Sequence, residues 1–242
     1  MPTTTIYPCD DEEDNLWEPP IANIGDLGGY VESESNLSHE GRAWVRDNAK
    51  VFGNAQVLNN ALVCGNAIVF DDAIIRDNSR VSENAVVYEY ADVENNSSVY
   101  GNAIVSGNST IRGKSYVLNK SKIHDSIIQN SVIFDNAIIK DSSIVNGHIG
   151  KHAHIQSYKD VISIFYFGFI QLNLTAYKTK DNVYIATEIY PKNIRVLESK
   201  NFLSFVYEFG ERVLDNKLEF KNLNIKNVLD RISEAVMASY NI

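Results

Sequence analysis

The sequence predicts a mainly β protein built around a parallel β-helix of hexapeptide repeats, and three observations support this fold class. From Ala43 to Asp125 the chain repeats every six residues, and in all fourteen hexads a small residue is followed two positions later by a β-branched one. Gly, Asp or Asn fills the fifth position in twelve hexads, and Asn fills the sixth in nine. One such unit cannot bury its own apolar face, so the units must stack.

Each hexad is predicted to be a short strand that ends in a corner. The small position holds only Ala or Ser and the β-branched position only Val or Ile, and residues two apart on a strand point to the same side. Asn and Gly tolerate the left-handed backbone that a tight corner needs. A period of six excludes an α-helix, and an antiparallel sandwich would need longer strands separated by hairpin turns.

Two stretches carry a resemblance to known proteins. The hexads "NAKVFGNAQVLNNALVCGNAIVF" (residues 48–70) resemble those of left-handed β-helix proteins, in which three hexads form one triangular coil of a prism. The opening "GDLGGYVESESNLSHEGRAWV" (residues 25–45) resembles a family of hexapeptide-repeat proteins common in bacteriophages and prophages. That resemblance implies Asn-Ala-rich hexads followed by a small α+β domain, and it implies no settled activity.

The phase of the repeat gives the predicted domain organisation. Residues 1–24 form an N-terminal segment or cap, residues 25–155 a β-helix of about seven coils, and residues 156–242 a C-terminal α+β domain. In the first coil the inward positions become Leu27, Ser33 and His39, which predicts a polar cap.

Downstream of the regular hexads, two five-residue steps predict tightened corners. They run from Ser121 to Ser126 and on to Ser131, after which the period of six is expected to resume at Ala137 and Ser143.

Beyond residue 155 the six-residue phase is lost. Residues 160–169, 170–179 and 183–189 are predicted to be strands of a β-meander, with Pro191 closing the last one. Residues 198–213 and 224–240 show helical spacing, which predicts two helices that cover the meander.

Composition narrows the class of protein. The net charge of −9 argues against a non-specific nucleic-acid binder. No signal peptide and no apolar segment long enough to span a bilayer is apparent, so no membrane partner is expected. Cys9 and Cys64 predict neither a disulfide framework nor a metal site. We expect a cytoplasmic protein, located in the host cytoplasm if it is phage-encoded.

Among the outward positions, one face is apolar. It carries Phe52, Ile68, Phe70, Val86, Tyr88 and Ile104 as predicted interface residues. Such a patch on a soluble protein is usually covered, and three occupants remain open: the C-terminal domain, a second copy in a homo-oligomer (dimer or trimer), and a foreign protein such as a host partner.

The five histidines are candidates for catalytic or metal-binding residues. Left-handed β-helix acyltransferases use a His base beside a coenzyme A groove, for which His39 and His124 are the candidates here. Three neighbouring side chains, His148, His152 and His154, could ligate zinc, with His152 and His154 expected on one face of a strand. No catalytic motif and no inserted substrate loop accompanies them, so neither a catalytic nor a metal site is predicted.

The sequence therefore favours a non-enzymatic scaffold that oligomerises and binds a protein or ligand partner, without a cofactor. The phage resemblance implies an accessory role that acts on a host system, including inhibition of a host defence factor. The alternative is an acyltransferase of the hexapeptide-repeat class with an intersubunit coenzyme A site.

Overall fold

Each coil of the chain in this computed structural model has three short strands joined by sharp corners, as the hexads require. The structure describes residues 25–150, 152–166, 172–181, 184–190 and 193–199. Strands eighteen residues apart pair in parallel, for example Val86–Val87 with Ile104–Val105. The predicted stacking of hexads into a parallel β-solenoid of about seven coils is thus confirmed.

Most of the solenoid strands are two or three residues long, because the corners occupy the rest of each hexad. Within the described residues they are β1 (Tyr30–Val31), β2 (Leu37–Gly41), β3 (Trp44–Val45), β4 (Lys50–Val51), β5 (Gln56–Asn59), β6 (Leu62–Val63), β7 (Ile68–Val69), β8 (Ile74–Ile75), β9 (Arg80–Val81), β10 (Val86–Val87), β11 (Asp92–Val93), β12 (Ser98–Val99), β13 (Ile104–Ser106), β14 (Thr110–Arg112), β15 (Tyr116–Val117), β16 (Lys122–His124), β17 (Ile127–Gln129), β18 (Val132–Ile133), β19 (Ile138–Lys140), β20 (Ser143–Val145), β21 (His148–Ile149) and β22 (His154–Ile155). Two 3-10 helices, Glu34–Asn36 and Tyr158–Asp160, precede β2 and follow β22.

The strands stack into three parallel sheets, which form the outer faces of the solenoid. The first face is the sheet β1-β4-β7-β10-β13-β16-β19-β22, the second is β2-β5-β8-β11-β14-β17-β20, and the third is β3-β6-β9-β12-β15-β18-β21. On the first face Lys50 pairs with Ile68, which in turn pairs with Val86. Outward side chains eighteen residues apart therefore lie directly above one another, as the sequence predicts.

The fifth hexad position has a left-handed backbone at every corner from Asp47 to Asp125, with φ between 46° and 77°. Glycine, Asp and Asn adopt this conformation at low cost, which explains their enrichment there. Asn side chains at the sixth position link successive coils: Nδ2 of Asn60 donates to Oδ1 of Asn78 at 3.0 Å. The composition of the corners thus follows from backbone geometry.

The small and β-branched positions fill the interior of the solenoid. From Val45 to Ile155 the inward β-branched side chains are 0–2 % exposed. Serine replaces Ala at several small positions because its hydroxyl can be satisfied locally: Oγ of Ser79 donates to the carbonyls of Arg76 at 2.6 Å and Val93 at 2.9 Å. A buried hydroxyl without a partner would cost about 1–3 kcal/mol.

Four five-residue steps occur in the later coils, two more than predicted. Ser142, and not Ser143, takes the inward small position, because Ile144 lies inward and pairs with Ile128. The next step leads to Gly147, whose carbonyl bonds the amide of Val132. At the three steps that end in serine, the hydroxyl donates to the carbonyl two residues back, as Ser142 does to Lys140 at 2.7 Å, and so replaces one corner residue.

The first coil departs from the predicted phase. Leu27, Ser33 and His39 were expected to point inward, but Leu27 is 93 % exposed and the other two are also exposed. The residue that does enter the interior is Asn36, whose Nδ2 donates to the carbonyls of Gly53 at 3.0 Å and Ala55 at 2.8 Å. The polar cap is therefore an asparagine amide and not a histidine.

A 3-10 turn explains this loss of phase. Ser33 caps the turn Glu34–Asn36 in a capping box, and the register to β5 then shifts between Leu37 and Gly41. Gly41 has φ of +89°, and a Cβ there would lie 2.2 Å from the carbonyl oxygen of Asn59. These local interactions override the six-residue period.

Cys64 is one of the two cysteines in the chain. It follows β6 on the third face and is 0 % exposed. The other cysteine, Cys9, lies outside the described residues. The expected cytoplasmic location stays a prediction.

An antiparallel four-stranded meander follows the solenoid. Its strands are β23 (Val161–Tyr166), β24 (Leu172–Lys178), β25 (Tyr184–Tyr190) and β26 (Asn193–Ser199), in that order. The first three were predicted, whereas β26 was missed because its alternating pattern is short and overlaps the predicted helix that begins at Glu198. Both predicted helices lie essentially outside the described residues.

The meander closes the C-terminal end of the solenoid. Tyr177 of β24 is 1 % exposed within the solenoid core, and its hydroxyl accepts a hydrogen bond from the amide of Gly150 at 3.2 Å. Ala153 also forms an antiparallel bridge with Thr179. The described part of the meander thus meets the last coil of the solenoid. No helix in the described ranges is long and apolar enough to cross a membrane.

Candidate interaction surface and histidine sites

Two columns of outward side chains run along the first face, because each strand places one residue before and one after its inward Val or Ile. The aliphatic column is Tyr30, Lys50, Ile68, Val86, Ile104, Lys122 and Ile138. The aromatic column is Glu32, Phe52, Phe70, Tyr88, Ser106, His124 and Lys140. The two outward residues of one strand are called a row below.

Three aromatic rings stack along the aromatic column. The centroids of Phe52 and Phe70 are 5.2 Å apart with an interplanar angle of 11°. Those of Phe70 and Tyr88 are 5.0 Å apart at 2°. The spacing is close to the distance between neighbouring strands, so the parallel register itself places the rings in contact. Each such contact contributes about 0.5–1.5 kcal/mol beyond burial.

The stacked rings form the centre of an apolar patch on this face. Phe52 is 38 % exposed, while Phe70 and Tyr88 are half-buried between their neighbours. Ile68, Val86 and Ile104 in the adjacent column are also half-buried. The structure thus places all six predicted interface residues on one continuous surface, of the kind that marks interaction sites on soluble proteins.

The apolar patch ends in rows of opposite character. Towards the N-terminus, Glu32 is exposed beside Tyr30, which is 62 % exposed, and its Oε2 accepts a hydrogen bond from the amide of Gly53 at 2.7 Å. Towards the C-terminus, Lys122 is exposed and His124 is half-buried. The patch therefore ends in the exposed carboxylate of Glu32 on one side and the exposed ammonium of Lys122 on the other.

The second face is held by ion pairs. The guanidinium of Arg76 donates to both carboxylate oxygens of Asp92, at 3.1 Å from Nε and 2.8 Å from Nη2, and it also pairs with Glu94. The hydrogen bond to Asp92, with the charges of both carboxylates, raises the pKa of Arg76 despite partial desolvation. This face offers satisfied charges and no apolar patch comparable to that of the first face.

Three outward side chains of the third face, on β6 and β9, are buried. Leu62, Cys64 and Ser82 point outward by register, yet they are 3 %, 0 % and 0 % exposed. Burial, with smaller contributions from Tyr116 and Glu83, raises the pKa of Tyr100 in the next coil. No burial was predicted for the outward residues of this face, since the patch predicted to be covered lies on the first face.

His39 does not form a site of the kind expected of a buried base. Its side chain is 77 % exposed on β2, with Nε2 3.1 Å from Oε1 of Glu34. No groove surrounds it among the neighbouring described residues, because the adjacent 3-10 turn and β2 are themselves mostly exposed.

His124 lies in a hydrogen-bonded cluster at the edge of the first face. Nδ1 is 3.0 Å from Oγ of Ser106, and Nε2 is 3.0 Å from Oδ2 of Asp125. Oε2 of Glu89 is 3.9 Å from Nδ1. His124 also lies next to Lys140 of the following coil in the parallel register. The eighteen-residue register accounts for the contact of His124 with Ser106, whereas Glu89 approaches from a corner of an earlier coil and has no signal in the sequence.

The Ser106–His124–Asp125 cluster has the composition of a nucleophilic triad but not its accessibility. Ser106 is 4 % exposed, and both nitrogens of His124 already have partners. The nearby amides of Gly107 and Asn108 donate to Glu89 and Asp125 and so are not directed at an oxyanion. Acyl transfer needs a base nitrogen and amide donors that face substrate. The arrangement is that of a satisfied corner network.

The three histidines at residues 148–154 do not converge. His148 lies on the third face, where its ring meets Phe134 at 4.9 Å, and burial lowers its pKa. His152 occupies a left-handed corner with φ of 57°, so it does not share a strand face with His154 as expected. His154 lies on the first face, with Nε2 2.9 Å from Nε2 of Gln156. Over the described residues, no group of three His, Cys, Asp or Glu could hold a metal ion.

No protein-family model, curated protein or solved structure matches the chain. The candidate surface therefore rests on its own geometry.

Proposed function

We propose that the protein is a non-enzymatic scaffold that self-associates through its first face, as a dimer or trimer, and binds a protein or ligand partner. The observation that carries the proposal is the stack of Phe52, Phe70 and Tyr88, bordered by a column of Ile and Val. Covering this patch in water is favourable by about 25 cal/mol per Å² of apolar surface. A second copy is the most common cover, because soluble oligomers are mostly homo-oligomers.

The proposal includes finer features that come from the sequence resemblance. The coil is left-handed, the hexads belong to the hexapeptide-repeat class, and helices beyond Ser199 complete a C-terminal α+β domain. The opening stretch of residues 25–45 supports a phage accessory role directed at a host system in the host cytoplasm. A rigid rod of this kind suits such a role because its flat faces present fixed side chains over several coils.

The test is the mass of the protein in solution. We expect light scattering to give a dimer or trimer for the wild-type chain and a folded monomer for Phe70→Asp, because a buried charge at the patch is costly. The matched control is Ile127→Asp on the second face, where Ile127 is 38 % exposed; it should leave the mass unchanged. A monomeric wild-type chain, or a Phe70→Asp variant of unchanged mass, would contradict self-association through this face.

The partner is sought by affinity capture from the native host. Proteins and small molecules that co-purify with the wild-type chain are identified by mass spectrometry. Capture with Phe70→Asp and with Ile127→Asp then shows whether the partner needs the assembled form or a particular face.

A further inference from the structure

We propose that the self-association is an antiparallel dimer, in which two first faces meet about a two-fold axis between β7 and β10. This inference rests on the proposed function and adds the orientation and the contacts of the second copy. It follows from the order of the rows. From the N-terminal end they are Tyr30/Glu32, Lys50/Phe52, Ile68/Phe70, Val86/Tyr88, Ile104/Ser106 and Lys122/His124.

A two-fold axis perpendicular to the solenoid places each column opposite the same column in reverse order. In the aromatic column, Phe70 then lies opposite Tyr88 of the second copy, and Phe52 lies opposite Ser106. In the aliphatic column, Ile68 lies opposite Val86. The two innermost rows of each copy therefore bury apolar side chains against apolar side chains, as the core of an isologous interface requires, while the exposed Lys50 and the buried Ser106 lie in the rows on either side of them.

The two outer rows are complementary in the same arrangement. The row of Tyr30 and Glu32 meets the row of Lys122 and His124 of the second copy, once at each end of the patch. Glu32, Lys122 and Tyr30 are all exposed and so are available to a second copy. The Glu32 carboxylate comes into the same row as the Lys122 ammonium, and Lys122 lies opposite Tyr30, whose aromatic ring attracts a cation.

The parallel arrangement lacks this complementarity. A two-fold axis along the solenoid keeps each row opposite itself, which brings both Lys122 side chains and both Glu32 side chains into single rows. Within such a row the two columns are exchanged, so the like charges lie diagonally across from each other at close range and oppose association. The long edges of the face do not discriminate between the orientations, because both carry carboxylates, Asp71 and Glu89 on one edge and Asp47 and Glu83 on the other.

The first experiment is a charge exchange followed by sedimentation equilibrium. Glu32→Lys and Lys122→Glu should each weaken the dimer by about tenfold, because each substitution acts twice in a symmetric dimer. The double variant Glu32→Lys/Lys122→Glu should return to within about threefold of the wild-type Kd, since the pair is reversed and not removed. Glu40→Lys, an exposed substitution on β2 of the second face, is the matched control and should not change the Kd.

The second experiment is thiol cross-linking between variants. A mixture of Glu32→Cys and His124→Cys chains should give a mixed cross-linked dimer, whereas a mixture of Tyr30→Cys and Glu32→Cys should not. The unmodified chain shows whether the native cysteines contribute.

The outcomes distinguish a failure of the antiparallel arrangement from a failure of self-association itself. Cross-linking of Tyr30→Cys with Glu32→Cys, or a double variant as weak as the single ones, overturns the antiparallel arrangement while self-association stands. A wild-type chain that sediments as a monomer overturns the proposed function itself. So does a monomeric chain that instead binds a foreign protein through Phe70.

Discussion

Phe70 and Tyr88 are eighteen residues apart in the sequence, yet their rings lie 5.0 Å apart and within 2° of parallel. The contact is produced by the parallel pairing of β7 with β10, in which Ile68 lies opposite Val86. An aromatic side chain at one hexad position therefore finds its partner one coil away, and the apolar surface is a direct product of the repeat.

The stack predicts unequal costs for removing its members. Phe70→Ala removes two ring contacts and should lower the free energy of unfolding by about 2–4 kcal/mol, whereas Phe52→Ala removes one of these contacts and should cost about half as much. Urea unfolding, at a concentration where both variants have the same mass, measures the difference. Equal losses would show that stacking contributes nothing beyond burial.

The inward column predicts a contrast between two adjacent residues. Val87 is 0 % exposed and Val86 is half-buried on the first face. Val87→Ala leaves a cavity and should cost about 2–3 kcal/mol, while Val86→Ala should cost less than about 1 kcal/mol. Thermal unfolding with circular dichroism measures both, and a reversed order would contradict the assignment of inward and outward positions.

Glu83 occupies a corner whose left-handed backbone favours Gly, Asp or Asn over Glu. Its φ is 59°, in the left-handed region where most corners carry Gly, Asp or Asn. Glu83→Asn should therefore raise the free energy of unfolding by about 0.5–1 kcal/mol, and Asn95→Ala, with φ of 65° at the equivalent corner, should lower it. If both changes act in the same direction, the backbone is not the origin of the preference.

Burial of His148 predicts a pH dependence of stability. Burial lowers its pKa in the folded chain below the ordinary value of about 6.5. Below that value the unfolded chain binds the proton more tightly, so stability falls as pH decreases from about 6.5 towards the lowered pKa. His148→Leu should reduce this slope, and His154→Leu, on the first face, is the control. Unfolding midpoints between about pH 7 and pH 5 give the comparison.

The acyltransferase alternative gives a prediction of its own. Because both nitrogens of His124 have partners, coenzyme A should cause no rise in Tm, whereas a bound ligand at 100 times its Kd would add about 2.7 kcal/mol. His124→Ala should behave as the wild-type chain in acyl-transfer assays with coenzyme A thioesters. A ligand-dependent rise in Tm that His124→Ala abolishes would favour the enzyme.

The regular coils could be predicted from the sequence because the six-residue period determines which residues form the strand, which form the corner and which point into the interior. The alternation of Ala or Ser with Val or Ile identified every inward position from Val45 to Ile123. The prediction failed where a local interaction changes the period. Ser33 caps a 3-10 turn in the first coil, and Ser142 replaces a corner residue. Neither has a periodic signature.

The candidate surface was predicted in part for the same reason. Phe52, Phe70 and Tyr88 follow from the eighteen-residue spacing, and so does the contact of His124 with Lys140. The burial of Leu62 and Cys64 on the third face could not be foreseen, because the six-residue pattern places both at outward positions. β26 was missed because its last two residues, Glu198 and Ser199, belong to the stretch whose spacing predicts a helix.

The left-handed corners and the constant eighteen-residue register also bear on how such a chain can change over evolutionary time. If one whole coil were removed or duplicated, the new junction would join equivalent positions of the repeat. The order of small residue, β-branched residue and corner would continue unbroken across it. Length could then vary in steps of about 4.8 Å, while the capped ends stay as they are. The number of stacked rings would change with the number of coils. The extent of a binding surface would then depend on the length of the gene and would need no new type of residue.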